Sequence, residues 1–332
     1  MKNNYDVILA LECMTGLRYF VPILKSILSV DPNINLGIFT KSSGKYNCPV
    51  RSINKIRNIF RKATNKNIEI NVIPNVASQT KISTDMIFSV ESVPFVDNNF
   101  IFNYKKKYCI QHGTDYWNFA KKVDDLTVYL MSDEIYAKDL KKYNGNAQTI
   151  NCDLPIVYWF CNEDFANFRD APSENDKSIC LFYPENGHHR DVYRLIDEID
   201  DDFLIHIKQR RKNQSPHPSL NNLKNKISVV YDDVWYPSEA VYFPWKSNIS
   251  IGFGTSAYID IVPMGLNFID YPIHPRTKDY PKPVSRTNYK LVNSHDELVE
   301  AVKNFDKLGN SSIVKRNYNP LEFVYNLINY KG

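Results

Sequence analysis

The residues best suited to bind a phosphate form the run Gly252-Phe253-Gly254-Thr255-Ser256. The apolar residues before it predict a buried strand, and residues 257–264 predict a helix. Glycines let a ligand approach the backbone, while the N–H groups and hydroxyls at a helix start attract an anion. The pattern therefore predicts a phosphate-binding loop that uses Gly254, Thr255 and Ser256. The alternative interpretation is that Thr255 or Ser256 only caps the helix.

A second candidate group follows the predicted strand 108–111 and contains His112, Gly113 and Asp115. Histidine can act as a general base near neutral pH, and glycine lets a substrate approach the backbone. Asp115 is close enough in sequence to orient the imidazole. We predict His112 and Asp115 as catalytic residues, with a histidine that is merely hydrogen-bonded in a surface loop as the alternative.

Basic residues follow two predicted strands in the second half of the chain. Arg190, preceded by His188 and His189, can fork onto phosphate oxygens. Lys208 and Arg210 alternate with the strand period and suit a diphosphate. A solvated helix start and a solvated basic turn are the alternative interpretations. The adjacent histidines have no carboxylate partner at metal-ligand spacing, so we predict no metal site.

Two further residues complete the predicted site. Asp260, in the first turn of the predicted helix, is a candidate ligand for ribose or acceptor hydroxyls, although a carboxylate there also favours the helix dipole. Gly16, in the loop after the first predicted strand, is placed with Gly113 on the acceptor side.

Length and composition limit the classes of protein to consider. A chain of 332 residues is about twice a common domain length, which favours two domains. Hydrophobic residues at 43% and charged residues at 23% are ordinary for a folded globular protein, so wholesale disorder is excluded. The net charge of +4 is too small for a general nucleic-acid binder.

The six cysteines are scattered without paired spacing, which favours a reducing cytoplasm over a disulfide framework or structural zinc. No apolar run is long enough for a signal peptide or a membrane span. Residues 51–66 predict a basic amphipathic helix that could lie on the anionic inner face of a membrane, or dock on its own domain with a solvated basic face.

Strands alternate with helices along the chain, which predicts mostly parallel sheets. We place an N-terminal Rossmann-like acceptor domain at residues 1–168 and a C-terminal Rossmann-like nucleotide-donor domain at 177–332. The predicted helices cover residues 19–28, 191–199, 257–264 and 320–330, the first with Pro22 in its first turn. The predicted strands are 6–11, 36–40, 68–73, 85–90, 108–111, 126–130, 178–182, 203–207, 227–231, 249–252 and 267–270.

With these residues in place, the chain resembles the two-Rossmann-domain glycosyltransferases of the GT-B fold, especially the CDP-glycerol glycerophosphotransferase and capsular polysaccharide transferase groups. The resemblance lies in Ile110-Gln111-His112-Gly113 and in Thr255-Ser256, which match a His-Gly strand end and a donor-diphosphate loop of those families. It implies two domains facing a central cleft, with the histidine as base. The segment Pro184 to Arg190 also resembles UDP-N-acetylglucosamine 2-epimerases of the same fold.

The combined expectation is a metal-independent transferase without a bound cofactor that uses a UDP-, CMP- or CDP-linked donor. Its acceptor would be a saccharide, a polyol or a lipid-linked molecule in cell-surface polysaccharide or glycoconjugate synthesis. Two alternatives stay open: a UDP-sugar 2-epimerase, which needs no acceptor, and a non-catalytic nucleotide-sugar-binding protein that kept the fold.

Overall fold

The computed structural model divides the chain into two compact units, Met1–Trp159 with Arg316–Gly332, and Phe160–Lys315. In the first unit the Tyr108 hydroxyl donates a hydrogen bond to the Leu327 carbonyl. The predicted linker at 169–176 lies outside the described residues. The structure describes residues 4–41, 49–73, 81–90, 102–113, 125–151, 177–184, 189–199, 203–209, 226–231, 235–236, 238–273, 275–305 and 327.

The first unit is built on a seven-stranded sheet in which every pairing of neighbours is parallel. Its strands are β1 (Asn4–Ala10), β2 (Leu36–Lys41), β3 (Ile70–Ile73), β4 (Ile82–Val90), β5 (Phe102–Ile110), β6 (Thr127–Met131) and β7 (Gln148–Asn151). Their order across the sheet is β3-β2-β1-β4-β5-β6-β7. The six strands predicted in this half are confirmed. β7 was not predicted, because it is short, polar and half exposed at the sheet edge.

Strand β1 shows why this half forms a parallel sheet. Val7, Ile8 and Leu9 are all fully buried, so both faces of the strand are covered. A continuous apolar run of this kind is typical of strands packed between two helical layers. Since β1 pairs with β2 on one side and with β4 on the other, the chain reverses its direction of travel across the sheet at this point. Ligand sites in open α/β sheets form beyond the carboxyl ends of the strands at such a point.

Three α-helices of the first unit are described: α1 (Leu17–Val30), α2 (Ile53–Thr64) and α3 (Glu134–Tyr143). α1 follows a 3-10 turn at Met14–Gly16 and begins two residues before the predicted start. The predicted place of Pro22 in the first turn is wrong, because Pro22 is the sixth residue of α1. The earlier start places Arg18 in the first turn of α1, directly after the loop that leaves β1.

The predicted basic amphipathic helix is confirmed as α2. Its apolar residues Ile56, Ile59 and Phe60 are buried within the first unit, and Asn65 ends the helix in the left-handed conformation with φ of 56°. The apolar face therefore packs on protein, as expected for a helix that docks on its own domain. Among the described residues, no helix has both the length and the hydropathy needed to cross a membrane.

The second unit contains a six-stranded sheet that is also parallel throughout. Its strands are β8 (Ser178–Phe182), β9 (Leu204–Lys208), β10 (Lys226–Val230), β11 (Ile249–Gly252), β12 (Phe268–Asp270) and β13 (Tyr289–Leu291). Their order is β10-β9-β8-β11-β12-β13. The five strands predicted here are confirmed. β13, which has three residues, was not predicted because it is too short for a period to show.

The helices of the second unit are α4 (His189–Glu198), α5 (Glu239–Lys246), α6 (Tyr258–Ile261), α7 (Pro275–Lys278) and α8 (His295–Lys303). The predicted helix 191–199 is confirmed as α4. The predicted helix 257–264 is wrong in extent, because α6 has only four residues and is followed by turns. Pro263 and Gly265, the latter at φ of 84°, account for the early end. Of the predicted helix 320–330, only Leu327 is described.

The core of the second unit joins the sheet to helices α4 and α8. It contains Ile205 and Ile251 from central strands, Leu195 from α4 and Leu298 from α8, all fully buried. Burial of this many branched side chains fixes the strands against each other. The carboxyl ends of the strands therefore form a rigid edge from which the loops start.

Candidate functional site

The carboxyl edge of the second sheet is aligned in one row across all six strands. Gly252 pairs with Phe182 of β8 on one side and with Asp270 of β12 on the other. Phe182 in turn pairs with Lys208, the last residue of β9. The loops that follow β8, β9, β11 and β12 thus leave the sheet at the same level. This strand register brings predicted donor-binding residues from separate parts of the sequence to one edge of the sheet.

The loop after β11 has no room for a Cβ at two glycine positions. A Cβ on Gly252 would lie 2.6 Å from the Phe268 ring. Gly254 has φ of 82°, and a Cβ there would lie 2.5 Å from the Thr277 hydroxyl oxygen. The Thr255 Oγ1 accepts a hydrogen bond from the Ala257 N–H at 3.2 Å. Thr255 and Ser256 are half-buried, so their hydroxyls line a tight turn rather than an open surface.

A buried carboxylate supports this loop from behind. Asp270 is fully buried and forms an ion pair with Lys282 at 2.9 Å, and the Tyr289 hydroxyl donates to it at 2.8 Å. Burial raises the pKa of Asp270, while the Lys282 charge, both of these contacts and the Gly254 backbone N–H oppose that rise. The Gly254 N–H therefore lies near the Asp270 carboxylate, on the buried side of the turn.

The other predicted donor ligands have different environments. Arg190 is exposed in the first turn of α4, which His189 begins. Lys208 is 6% exposed and donates to the Gln209 carbonyl at 2.9 Å, so it is a buried cation and not part of a solvated basic turn. Asp260 is 2% exposed in α6. Arg210 lies outside the described residues. The roles of these residues in donor binding stay predictions.

In the first unit, His112 is joined to the start of α1. The Arg18 guanidinium donates from Nη2 to His112 Nδ1 at 2.8 Å and to the Tyr19 hydroxyl at 2.6 Å. That hydroxyl lies 3.4 Å from the same Nδ1, and the two rings meet edge to face at 6.1 Å. Arg18 and Tyr19 are buried and His112 is half-buried. Strands β1 and β5, on either side of β4, thus bring together residues that are 94 positions apart.

The Arg18 contact determines where the proton of the neutral imidazole lies. A guanidinium has only N–H donors, so Nδ1 must accept and cannot carry a proton. The neutral ring therefore carries its proton on Nε2. The prediction that His112 is a general base stays untested, but this arrangement engages the one ring nitrogen that has a lone pair.

The segment containing His112 is held by Gln111. The Gln111 Oε1 accepts from both the N–H and the hydroxyl of Ser132 at 3.0 Å, and its Nε2 donates to the Gly113 carbonyl at 3.1 Å. Gln111 is buried, so its side-chain amide provides the hydrogen bonds that water would otherwise make to the Ser132 and Gly113 groups. Gly113 is buried beside it. Asp115 lies outside the described residues, and its orienting role stays a prediction.

Gly16 ends the 3-10 turn before α1 and is buried. A Cβ there would lie 3.1 Å from the Leu11 side chain, so the turn can pack tightly under the start of the helix. Its predicted place on the acceptor side is not tested. Among the residues that the structure describes, no group of three or more His, Cys, Asp or Glu side chains could hold a metal ion.

Comparison with known proteins identifies solved structures with a similar fold. No family model matches the sequence, and no curated protein sequence is significantly similar. The UDP-GlcNAc 2-epimerase from Neisseria meningitidis bound to UDP-GlcNAc superposes with a TM-score of 0.62 at 11% identity, covering 97% of this chain and 99% of that chain. A variant of the wall teichoic acid polymerase TagF gives 0.62 at 10% identity, covering 99% and 89%. S. aureus MnaA with UDP gives 0.60 at 12% identity, covering 98% and 96%.

These similar structures are enzymes of the GT-B fold, and the present chain has that fold: two α/β domains, each with a parallel sheet. At 10–12% identity the similarity establishes architecture and not the reaction. Sequence reasoning assigned no role to Arg18, Gln111, Asp270 or Lys282. Each of these residues contacts a partner in another segment of the chain. Only Asp270 had a local signal, because it is an aspartate at the end of a buried strand.

Proposed function

We propose that the protein transfers a sugar or glycerophosphate group from a nucleotide-linked donor to a hydroxyl of an acceptor. The observation that carries the proposal is the Gly252–Ser256 turn, which has no room for a Cβ at Gly252 or Gly254 and lies beside the buried Asp270 carboxylate. The turn supports the proposal by its place, because ligands of open α/β sheets bind beyond the carboxyl ends of the strands.

Donor binding is assigned to the second unit. The Thr255 and Ser256 hydroxyls would donate to phosphate oxygens. Arg190 follows β8, the strand paired with β11, and would supply the fork of donors that phosphate accepts. Lys208 adds a cation to the same edge of the sheet. His189 and Arg210 are further proposed ligands from the same two loops, and Asp260 is kept as a proposed ribose ligand.

Neutralisation of phosphate charge by these groups would replace a divalent cation, so we propose that the reaction needs no metal. Positioning the donor and neutralising its phosphates would contribute most of the rate enhancement. In the first unit, His112, with Gly16 and Gly113 beside the acceptor, is the side chain proposed to contact the reacting groups. The acceptor is proposed to be a saccharide, a polyol or a lipid-linked molecule.

Epimerisation of a nucleotide sugar is the second candidate. It is favoured by the similarity to the UDP-GlcNAc 2-epimerase solved with UDP-GlcNAc, whereas the similarity to the wall teichoic acid polymerase TagF favours transfer. An epimerase acts on one sugar nucleotide alone, and a transferase consumes its donor only when an acceptor is present. The presence or absence of an acceptor therefore separates the two reactions.

The test begins with a thermal-shift screen against UDP-, CMP- and CDP-linked donors. Donors that stabilise the protein are then incubated with and without saccharide, polyol and lipid-linked acceptors, in EDTA, and the products are identified by mass spectrometry. Acceptor-dependent loss of donor supports transfer. An isomeric nucleotide sugar formed without acceptor supports epimerisation, and binding without turnover in any mixture supports a non-catalytic binding protein.

Variants connect the activity to the loop. We expect Thr255→Val with Ser256→Ala to weaken donor binding by about tenfold or more, since each lost hydrogen bond to a charged group contributes about 1.5–3 kcal/mol. Ser228→Ala, which removes a half-buried hydroxyl from β10, is the matched control and leaves affinity unchanged. Equal affinity in the wild-type protein and the double variant would place the donor elsewhere.

A further inference from the structure

We propose that Arg18 is a positioning residue that holds His112 as a hydrogen-bond donor through Nε2–H, directed at an anionic oxygen of the substrate. The inference rests on the proposed function for the identity of that substrate, a molecule with phosphate oxygens. Its structural part rests on the contacts of Arg18 with His112 and Tyr19 alone.

The first step of the argument is the direction of the hydrogen bond. Arg18 Nη2 lies 2.8 Å from His112 Nδ1, within the range of a charge-assisted hydrogen bond. The guanidinium stays protonated at any physiological pH, so it can only donate. The lone pair of Nδ1 is thereby used, and the proton of the neutral ring is placed on Nε2.

The second step concerns the lone pair. A general base must accept a proton, and the Nδ1 lone pair already accepts the Arg18 hydrogen bond at 2.8 Å. Base catalysis would therefore have to break this contact, whereas hydrogen-bond donation from Nε2 leaves every proton in place.

The orientation is opposite to that in Ser-His-Asp sites. There a carboxylate accepts from Nδ1–H, so that Nε2 has a lone pair and acts as base. Here a cation donates to Nδ1, so that Nε2 bears the proton and the positive charge behind the ring strengthens it as a donor. Such a donor stabilises negative charge on a phosphate or a leaving oxygen.

Arg18 is held in this position by Tyr19. The Tyr19 hydroxyl accepts from Nη2 at 2.6 Å, and the guanidinium carbon lies 4.7 Å from the centre of the Tyr19 ring. Tyr19 is fully buried in α1. The tautomer of His112 is thus set by residues in a rigid helix start rather than by the loop that carries the histidine.

The tautomer can be measured without knowing the substrate. In protein labelled with 15N-histidine, we expect the His112 resonances, assigned by their loss in His112→Gln, to show an unprotonated Nδ1 and a protonated Nε2. Arg18→Met removes the donor, and the Nδ1 resonance should shift as the tautomers mix. Arg18→Lys, which keeps a cationic donor, should restore the wild-type pattern in part. Unchanged amide hydrogen exchange at the buried residues Val7 to Leu9 of β1 confirms that the first unit of each variant is folded.

A protonated Nδ1 in the wild-type protein, or a tautomer that Arg18→Met leaves unchanged in a folded protein, overturns the positioning role. These results hold whether or not the protein is a transferase, so failure of the inference is distinct from failure of the proposed function. If Arg18→Met does not fold, the comparison of wild type with Arg18→Lys and the direct assignment of the wild-type ring still decide the question.

The second arm measures turnover once a donor is known. His112→Gln offers an amide N–H near the position of Nε2, and His112→Asn offers an acceptor to Arg18 near the position of Nδ1 but no such donor. A donor role predicts that His112→Gln is at least tenfold more active than His112→Asn. Equal loss in both variants would instead support a base and overturn the donor role.

Discussion

Asp270 and Lys282 form an ion pair of 2.9 Å in which the carboxylate is fully buried and the lysine side chain is 8% exposed. The pair lies directly behind the Gly252–Ser256 turn, because Asp270 pairs with Gly252 across the sheet and its carboxylate lies near the Gly254 N–H. A buried pair of this kind is costly to break, since the partner left behind is a desolvated charge. The stability of the turn and the stability of the second unit are therefore linked through Asp270.

Asp270→Ala is expected to destabilise the protein by about 3–5 kcal/mol, because it leaves the Lys282 charge buried without its partner. Asp85→Ala is the matched control. Asp85 pairs with Lys105 at 2.6 Å, but their side chains are 54% and 79% exposed, so the loss should be below about 1 kcal/mol. Urea unfolding monitored by circular dichroism measures both. Similar losses in the two variants would contradict the assignment of Asp270 as a buried support.

A companion double variant separates charge from packing. Asp270→Asn with Lys282→Met removes both charges and keeps a polar group near Gly254, so it should recover most of the stability lost in Asp270→Ala. If the double variant is as unstable as Asp270→Ala, lost packing and not an uncompensated charge causes the effect.

Gly254→Ala should destabilise the second unit by about 2 kcal/mol or more, because a Cβ is strained at positive φ and would meet Thr277 at 2.5 Å. Under the proposed function, nucleotide affinity should fall with it. Gly145→Ala is the control, since Gly145 has no atom within 4 Å of an added Cβ. Thermal unfolding and nucleotide titration measure the two effects. A Gly254→Ala protein with wild-type stability would show that the turn adapts.

The stability of the protein should depend on pH through His206. Burial, followed by the nearby Lys246 charge, lowers the pKa of His206 from 6.5 to about 4. The unfolded chain therefore binds a proton at a higher pH than the folded protein does. The stabilisation is present above about pH 6.5 and is lost as the pH falls towards 4.

His206→Phe tests this dependence, because the ring packs beside Phe243 at 5.1 Å between centroids and phenylalanine keeps an aromatic ring there. Between pH 7 and pH 5 the wild-type protein should lose on the order of 1 kcal/mol more than the variant, with allowance for solvent at the ring. Urea denaturation at the two pH values gives the comparison. Parallel loss in both proteins would assign the pH effect to other groups.

Gln111→Leu should cost about 1–3 kcal/mol, because the Ser132 N–H and hydroxyl and the Gly113 carbonyl would lose their buried partner. Gln148→Leu serves as the control, since the Gln148 amide makes one exposed contact of 3.3 Å to the Asp125 carbonyl. Chemical denaturation measures stability, and amide hydrogen exchange at Gly113 reports the local effect. Equal costs in the two variants would argue against a special role of Gln111 in holding the His112 segment.

Ile56→Ala should destabilise the first unit by about 2–4 kcal/mol, whereas Arg57→Ala, on the exposed basic face of α2, should change stability by less than about 0.5 kcal/mol. The difference follows from docking of the apolar face on the protein. Thermal denaturation measures both variants. If α2 inserted into lipid instead, Ile56→Ala would reduce co-sedimentation with anionic vesicles and leave the folded protein stable.

The sequence by itself determined the two parallel sheets and most of their strands. Runs such as Val7 to Leu9 and Ile179 to Leu181 are apolar on both faces, which is a local property of strands between helical layers. The amphipathic α2 and the glycine turn at Gly252 to Ser256 are likewise local patterns. The extent of α6 was predicted wrongly. The hydrophobic periodicity continues to residue 264, but Pro263 and Gly265 end the helix earlier.

Only the tertiary structure decided which groups meet. His112 was predicted as a catalytic residue from its own loop, but Arg18, which donates to its Nδ1, is 94 positions away in α1. Asp270 and Lys282 likewise support a turn formed by other residues. Hydrogen bonds and ion pairs between distant segments depend on strand order and register. Neither strand order nor register produces a periodic pattern in the sequence. The sequence therefore identified the candidate side chains, and the packing of the sheets determined their partners.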